Sequence, residues 1–207
     1  MKILVTGFEP FGDDTINPSW EAVSRLPRCF AGINGSDIIT RRLPVSFRRG
    51  ENALLCALEE LHPDLVICTG LAGGRKGITI ERIGINLRDA RIADNDGMQP
   101  LDEPICPGGP AAYFSTLPVK NLVQALNEHQ IPTSISNTAG TYVCNDILYT
   151  LLHWQAEKIP DAWGGFVHLP YTSDQAVCHG DTASGMPLDD MTRALELILQ
   201  ASMCMKG

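Results

Sequence analysis

Short apolar runs alternate along the chain with stretches whose apolar residues recur at helical spacing. The pattern predicts strands at residues 3–5, 38–43, 65–68, 131–136 and 166–169, and helices at 20–26, 53–61, 143–154 and 191–203. Such alternation is typical of an α/β fold. The runs DLVIC and GGFVHL lack a polar side, as expected for central strands covered by helices on both faces. We therefore expect a three-layer α/β/α sandwich around a mostly parallel, mixed central sheet, in a single domain spanning residues 1–207.

Local signals mark two helix starts and one loop. Asn17 precedes Pro18, which pairs an amide cap with a proline suited to the first helical position. Asp189 and Asp190 lead into the last predicted helix. Residues 97–112 are rich in proline and glycine and show no periodicity, which predicts a functional or interface loop.

The segment ITIERIGINL changes phase in its middle. Its apolar residues keep one strand face up to Ile80 and take the other from Ile83 onward, so the period slips at Glu81–Arg82. Two interpretations stay open. One is a β-bulge that re-aims Glu81, and the other is a two-stranded ribbon that turns near Gly84.

Composition and charge exclude several function classes. The chain has 207 residues, 44% of them hydrophobic and 19% charged, which is the composition of an ordinary globular protein. Its 16 Lys and Arg against 24 Asp and Glu give a formal charge of −8, which repels phosphate backbones and anionic lipid. No apolar run approaches the roughly 18 residues of a membrane helix, and no signal peptide is recognised. We expect neither a nucleic-acid nor a membrane partner.

The seven cysteines fit neither a disulfide framework nor a zinc site. Their number is odd and no C-x-x-C pair occurs. We therefore expect a reducing, cytoplasmic location, no metal site, and mostly buried thiols that act as small hydrophobic residues.

Cys144 is the candidate nucleophile. It lies just ahead of a helical pattern formed by Ile147, Leu148, Leu151 and Leu152. A helix N-terminus offers free amide donors and the positive end of the helix dipole, which lower a thiol pKa and can hold an oxyanion. The alternative is a buried core thiol.

A cysteine nucleophile needs a base, and His168 is the best placed of the five histidines. It ends a predicted central strand, and ligand sites of open α/β sheets lie at the carboxyl edge of the strands. A core histidine is the alternative. His62, His129 and His153 are expected to be solvated or capping residues at or near helix ends, and His179 is ambiguous.

Glu81 is the candidate third group. A carboxylate can hold an imidazole in the useful tautomer and stabilise its cation. The alternative for Glu81 is a surface salt bridge with Arg82 or Arg91.

Two glycine-rich loops are candidate binding elements. GLAGGRKG lacks the spacing of a phosphate-binding loop, so it does not indicate nucleotide binding. GFEPFG brings Phe8 and Phe11 to the end of the first strand, where they either line an apolar pocket or belong to the core.

Seven motifs occur in order between Gly7 and Tyr171: GFEPFG, NPSWEAV, GLAGGR, ERIGINLRDARIADNDG, GGPAAY, TAGTYVCN and GGFVHLPY. Together they resemble the pyroglutamyl peptidase I family of cysteine peptidases, also called pyrrolidone carboxyl peptidases. The resemblance implies removal of an N-terminal pyroglutamyl residue from peptides by a Cys-His-Glu triad, with no metal or cofactor. It also implies a cytoplasmic α/β/α protein that assembles as a homotetramer.

By matching position, the resemblance implies that the triad consists of Glu81, Cys144 and His168. It implies that Phe8 and Phe11 line the pocket for the lactam ring and that Arg91 lies close to the reacting carbonyl.

The chain departs from the family at Leu71, where members commonly carry glutamine. The backbone of Leu71 could still bind the ring, whereas a role for the glutamine side chain would make ring affinity or proline rejection weaker here. Asp13 also replaces a glycine commonly found after PFG. Two other functions stay open: a deacylase acting on another small acyl group, and a pyroglutamate-binding homologue whose triad is not assembled.

Overall fold

The computed structural model describes residues 1–30, 36–180 and 184–206. In chain order the elements are β1 (Lys2–Phe8), α1 (Pro18–Val23), β2 (Asp37–Leu43), α2 (Phe47–Leu61), β3 (Leu65–Leu71), β4 (Ile78–Glu81), β5 (Ile83–Ile85), β6 (Ala112–Phe114), α3 (Val119–Glu128), β7 (Thr133–Ser136), α4 (Val143–Lys158), β8 (Trp163–Leu169), β9 (Tyr171–Thr172), α5 (Ser173–Cys178), β10 (Gly185–Met186) and α6 (Leu188–Lys206).

Within the described ranges, six strands form the central sheet in the order β2-β1-β3-β8-β4-β7. The first four strands are parallel to one another. β4 runs antiparallel to β8 and parallel to β7, so the sheet is mixed but mostly parallel. The expected sheet type is confirmed, and the reversal of direction lies between β8 and β4.

Successive side chains of a strand point to opposite faces of the sheet, and each face has its own apolar cluster. Ile3 and Val5 of β1 belong to the cluster that includes buried residues of α1, α3 and α6. Leu4 points the other way, into the cluster formed with α2 and α4. A sheet buried on both faces by helices is the predicted three-layer sandwich, which is confirmed.

Helix capping follows the sequence signals where they exist. Asn17 caps α1 by accepting a hydrogen bond from the Ser19 amide at 3.1 Å, and Pro18 is the first helical residue. α2 begins at Phe47, earlier than predicted, because Ser46 caps it through the Arg49 amide. α3 and β6 were not predicted.

The phase change after Glu81 separates two sheets, and neither expected arrangement is found. β4 ends at Glu81, and β5 pairs antiparallel with β6 outside the main sheet. Between them, the Arg82 amide donates to the Ser136 carbonyl, and the Arg82 carbonyl accepts from the Ser115 amide, both at 2.8 Å. The apolar period changes because β4 and β5 belong to different sheets: Ile78 and Ile80 of β4 are buried in the main core, whereas Ile83 and Ile85 of β5 are only half-buried.

All seven cysteines are free thiols. Cys68 is buried, Cys106 and Cys144 are partly exposed, and the other four, at positions 29, 56, 178 and 204, are exposed. The expectation that most thiols are buried is therefore wrong. No helix in the described part of the chain is long and apolar enough to cross a membrane.

A buried ion-pair network fixes the first turn of α4. Arg88 Nε donates to Asp146 Oδ1 at 2.6 Å, and Arg88 Nη2 donates to Glu51 Oε2 of α2 at 2.7 Å. The neighbouring Asn145 accepts from the Ile85 amide at 3.0 Å. Helix α4 is thereby tied to α2 and to the segment that follows β5, and the position of Cys144 depends on these ties.

We predict that Arg88→Ala lowers the free energy of unfolding by about 3–5 kcal/mol, since it leaves the buried Asp146 carboxyl without its counter-charge. Burial already raises the pKa of Asp146 to about 7. An acid whose pKa is raised on folding destabilises the fold increasingly as the pH rises towards that pKa. Because the charge of Arg88 lowers the pKa of Asp146, its removal raises that pKa further. The loss of unfolding free energy should therefore be larger at pH 8 than at pH 6. Urea unfolding at both pH values measures it.

The matched control is Arg25→Ala. Arg25 pairs with Asp189 at 3.0 Å, but both side chains are largely exposed. An exposed pair contributes at most about 1 kcal/mol, at either pH. Equal losses for the two arginine variants would contradict the role given to Arg88.

Candidate active site

Cys144 is the second residue of α4. The helix begins at Val143, and Tyr142 at the cap position makes no side-chain capping bond. The Asp146 amide donates to the Tyr142 carbonyl at 3.1 Å and so makes the first helical bond. The amides before it have no acceptor within the helix, so they are free to bind an anion at the thiol.

Strand register places the other two predicted triad residues on the face that α4 covers. His168 pairs with Gly70 of β3 on one side and with Thr79 of β4 on the other. Paired positions share a face of the sheet, and so do residues two apart on one strand. Glu81 therefore lies on the same face as His168, diagonally across the antiparallel junction.

A glycine leaves room for the thiol beside that histidine. A Cβ built on Gly70 would lie 2.9 Å from Cys144 Sγ and 2.8 Å from Cζ of Phe166. The sulfur therefore packs over Gly70, the residue next to His168 in the sheet. Neighbouring strands are about 4.8 Å apart, so this packing brings Cys144 and His168 to one place.

Glu81 and His168 are directly hydrogen-bonded. His168 Nδ1 lies 2.7 Å from Glu81 Oε1, and both side chains are buried. Arg75 Nη1 donates to the same oxygen at 2.7 Å and also bonds Thr79 Oγ1. Two groups, the imidazole of His168 and the guanidinium of Arg75, thus bond one oxygen of the carboxylate.

The partners determine the histidine tautomer. An ionised carboxylate only accepts hydrogen bonds, so the proton of neutral His168 must lie on Nδ1, facing Glu81. Nε2 is then left as an unprotonated acceptor. That is the tautomer a general base requires.

Electrostatics keep this pair in the form of carboxylate and neutral imidazole. Burial works to raise the pKa of Glu81, but hydrogen bonds and charge from His168, with further bonds from Ser136 and Arg75, lower it below its ordinary value. Burial lowers the pKa of His168, and Glu81 opposes this only in part.

Cys144 is a neutral thiol in this structure. Burial raises its pKa to about 12, and the charge of Glu81 adds to the shift while that of Arg75 opposes it. Loss of hydration thus opposes the lowering of the thiol pKa that is expected at a helix start. The thiol must lose its proton to a neighbour as it reacts.

An apolar cavity of about 160 Å³ opens at the thiol. Its lining residues are Phe8, Phe11, Asn17, Val45, Leu71, Tyr142, Val143 and Cys144. In another protein an apolar cavity of about 150 Å³ binds a benzene ring, so the volume suits one small ring. Both polar atoms of the Asn17 side chain already have partners, because it caps α1 and donates to the Glu9 carbonyl at 2.9 Å. The wall of the cavity is therefore mostly apolar.

The remaining sequence predictions divide. Phe8, Phe11 and Leu71 lie together at the cavity, whereas the exposed Arg91 is not among its lining residues. Arg82 does not pair with Glu81 and instead donates to Asn137 Oδ1 at 2.8 Å.

Sequence reasoning missed Arg75 and Tyr142. Arg75 lies in the GLAGGRKG loop, whose spacing speaks only against phosphate binding. Tyr142, two residues before Cys144, packs its ring at a tilted angle against Phe11, with the ring centroids 5.6 Å apart. No cluster of three or more metal-ligating side chains occurs in residues 1–30, 36–180 and 184–206.

Three other histidines were expected to be solvated or to cap helices. His62 and His129 do follow the last turns of α2 and α3. His153 lies inside α4, and its Nε2 is 3.4 Å from the sulfur of Cys106, so the expectation for His153 is wrong.

An α/β/α sandwich with a cysteine at a helix start, beside a buried histidine–carboxylate pair, defines a cysteine-type hydrolase. The family model described as pyroglutamyl peptidase matches residues 1–204. The chain belongs to this family.

Proteins of similar sequence and structure match this chain over nearly its whole length. The pyrrolidone-carboxylate peptidase of Thermococcus onnurineus is 49% identical over 203 residues, covering 98% of this chain and 99% of that protein. That of Erwinia tasmaniensis is 48% identical over 205 residues, covering 99% and 94%. The crystal structure of pyroglutamyl peptidase I from Bacillus amyloliquefaciens has a TM-score of 0.92 at 42% identity, covering 98% and 94%. Pyrrolidone carboxyl peptidase from Pyrococcus furiosus gives 0.94 at 41% identity, with 100% of both chains covered.

We predict that Gly70→Ala lowers kcat/KM for a pyroglutamyl amide by about a hundredfold, because displacing a reacting atom by about 1 Å costs that much. The new methyl group would lie 2.9 Å from the thiol. Gly84→Ala is the control, since its Cβ would lie 3.0 Å from Leu148 Cγ, on α4 but away from the sulfur. Equal losses in both variants would show that crowding of the helix, and not of the thiol, is responsible.

Proposed function

We propose that this protein removes N-terminal pyroglutamyl residues from peptides with Cys144 as nucleophile, His168 as general base and acid, and Glu81 as the group that orients the histidine. The observation that carries the proposal is the buried bond of 2.7 Å between His168 Nδ1 and Glu81 Oε1. It leaves Nε2 of the histidine as a base on the sheet face where the thiol packs.

In the first step, Cys144 Sγ attacks the pyroglutamyl carbonyl carbon while His168 Nε2 takes the thiol proton. Glu81 stabilises the imidazolium that forms. The carbonyl electron pair moves onto oxygen, and the free amides at the start of α4 donate to it. Because the thiol is neutral at rest, bond formation and proton transfer are coupled.

In the second step, the tetrahedral intermediate collapses and the C–N bond breaks. His168 gives its proton to the leaving amine, and pyroglutamate stays bound to Cys144 as a thioester. Water then attacks the thioester carbonyl and gives a proton to His168. Pyroglutamate leaves, and the proton returns to the sulfur.

The cavity supports selection of the lactam ring. A pyroglutamyl group has no charged α-amino group, so it enters apolar walls without losing the hydration of an ion. Phe8, Phe11 and Leu71 supply such walls, and Arg91 stays a predicted contact to the reacting carbonyl. Proline lacks only the lactam oxygen, so its rejection requires a donor that proline leaves unpaired.

Assembly and location stay predictions from the family resemblance. They are a homotetramer and a cytoplasmic enzyme acting on pyroglutamylated peptides.

We expect the protein to release a fluorescent amine from a pyroglutamyl amide, but not from prolyl or alanyl amides. Cys144→Ser should abolish this release, because a serine hydroxyl loses its proton to a neutral imidazole far less readily than a thiol does. The melting temperature should change little. Release rates with the three substrates measure the outcome.

Cys56→Ser is the matched control, since Cys56 is an exposed thiol on α2. It should keep full activity. Turnover by folded Cys144→Ser protein would remove the nucleophile assignment, and cleavage of none of the amides by the unmodified protein would favour the deacylase or the inactive homologue.

The pH dependence follows from the resting protonation states. His168 must be neutral to accept the thiol proton, and burial holds its pKa below the ordinary value of a histidine. We therefore expect kcat/KM to be flat around neutral pH and to fall at acid pH, with an apparent pKa lower than that of an ordinary histidine. Glu81→Gln removes a carboxylate that raises the histidine pKa, so this acid limb should move to still lower pH, and the plateau should drop by about a hundredfold or more.

Glu59→Gln is the control, because Glu59 is an exposed carboxylate on α2. It should leave both the limb and the plateau in place. An acid limb that stays unshifted in Glu81→Gln would contradict the role of Glu81 as the partner of His168.

A further inference from the structure

A second Cys–His pair lies outside the site described above. Cys106, in the loop between β5 and β6, has its sulfur 3.4 Å from Nε2 of His153, in the middle of α4. Cys106 is partly exposed, and the His153 side chain is 23% exposed. The proposed peptidase reaction uses neither residue.

The imidazole of this pair is held in one orientation. His153 Nδ1 lies 2.9 Å from the Tyr113 hydroxyl, and its ring stacks on Tyr149 at 5.9 Å with an interplanar angle of 13°. In the tautomer that carries its proton on Nδ1, the ring donates to the Tyr113 oxygen and Nε2 faces the thiol as an acceptor. Glu157 Oε1, one helical turn further on, lies 3.6 Å from the same Nε2.

The backbone holds the thiol in place as well. The Cys106 amide donates to Asn86 Oδ1, and the Cys106 carbonyl accepts from Asn86 Nδ2, both at 2.8 Å. The Gly109 amide donates to the same carbonyl at 3.0 Å. A thiol fixed in this way meets its base without first ordering a loop.

We propose that Cys106 is a modification site at which low-molecular-weight disulfides react by thiol–disulfide exchange, with His153 as the base. His153 Nε2 takes the thiol proton, and Cys106 Sγ attacks one sulfur of the disulfide. The new S–S bond forms as the old one breaks, and the electron pair leaves on the second sulfur, which takes the proton from His153. The protein sulfur is oxidised and the released thiol is reduced.

Four exposed thiols provide internal references for this reaction. Cys56 and Cys204 are more exposed than Cys106, and no histidine contact is recorded for either in the described residues. Accessibility alone would therefore make them react faster. A base at the sulfur reverses that order, because the thiolate is the attacking form.

The experiment treats the full-length protein with a limiting amount of dithiodipyridine at pH 7, followed by acid quenching and residue-resolved mass spectrometry. Cys106 should form the mixed disulfide about tenfold faster than Cys56, the size of effect that a neighbouring imidazole has on a thiol. A rate at Cys106 equal to or below that at Cys56, or no reaction at Cys106, would overturn the proposal.

His153→Gln should lower the Cys106 rate about tenfold and leave the Cys56 rate unchanged. His129→Gln is the matched control, since that ring bonds only to the Ala125 carbonyl, at 2.9 Å, among the contacts described. Tyr113→Phe removes a single oxygen and should lower the Cys106 rate by a smaller factor than His153→Gln does. This second variant keeps the test available if His153→Gln folds poorly. An unchanged Cys106 rate in both variants would show that His153 is not the base.

The experiment measures the rate of mixed-disulfide formation at each cysteine and does not depend on peptidase activity. Failure of the Cys106 test would leave the proposed function untouched, and loss of the proposed function would leave Cys106 reactive.

Discussion

The contact between Glu81 and His168 is the constraint on which the site depends. A charged carboxylate with no exposed side-chain surface is costly unless charged or hydrogen-bonded partners surround it, and here His168 and Arg75 share one of its oxygens. The two residues meet because the register of the antiparallel junction places Thr79 opposite His168, so Glu81, two residues further along β4, lies on the same face one diagonal away. The contact on which the site depends is therefore fixed by the pairing register of β4 and β8.

Burial of the site has two opposite consequences. It leaves the thiol neutral, with a pKa of about 12, and so gives up the standing thiolate that a more solvated helix start would provide. It also lowers the pKa of His168, so the imidazole is neutral and ready to accept a proton. A substrate that fills the apolar cavity excludes water further, and the donors at the start of α4 then act on developing charge in a medium of low dielectric. The thiol therefore carries little charge at rest, and the donors at the start of α4 are placed to stabilise charge that develops during a reaction.

The sequence predicted those parts of the fold that have a local cause. The cap at Asn17, the helix that carries Cys144 and the strand that ends near His168 each follow from residues that are adjacent in the chain. The reversal of β4 has no such signal, and the phase change at Arg82 could not be assigned without knowing that β5 joins another sheet. Arg75 was missed for a different reason: Glu81 is only six residues further on, but the spacing alone does not show that the loop before β4 turns the guanidinium back onto that carboxylate. Cysteine burial was misjudged because composition does not say which face of a helix a thiol occupies.

Two thiol–histidine pairs have one residue each on α4, Cys144 in the first pair and His153 in the second, and their surroundings differ. Cys144 lies over the sheet at an apolar cavity, near His168, whose imidazole is hydrogen-bonded to the buried carboxylate of Glu81. The sulfur of Cys106, in a loop, contacts His153, whose imidazole contacts the hydroxyl of Tyr113 and stacks on Tyr149. The cavity beside Cys144 has room for one small ring and can orient an acyl group at the thiol. The first pair therefore suits acyl transfer within a shaped pocket, whereas the second suits sulfur exchange, in which the reagent brings its own leaving group and needs little positioning.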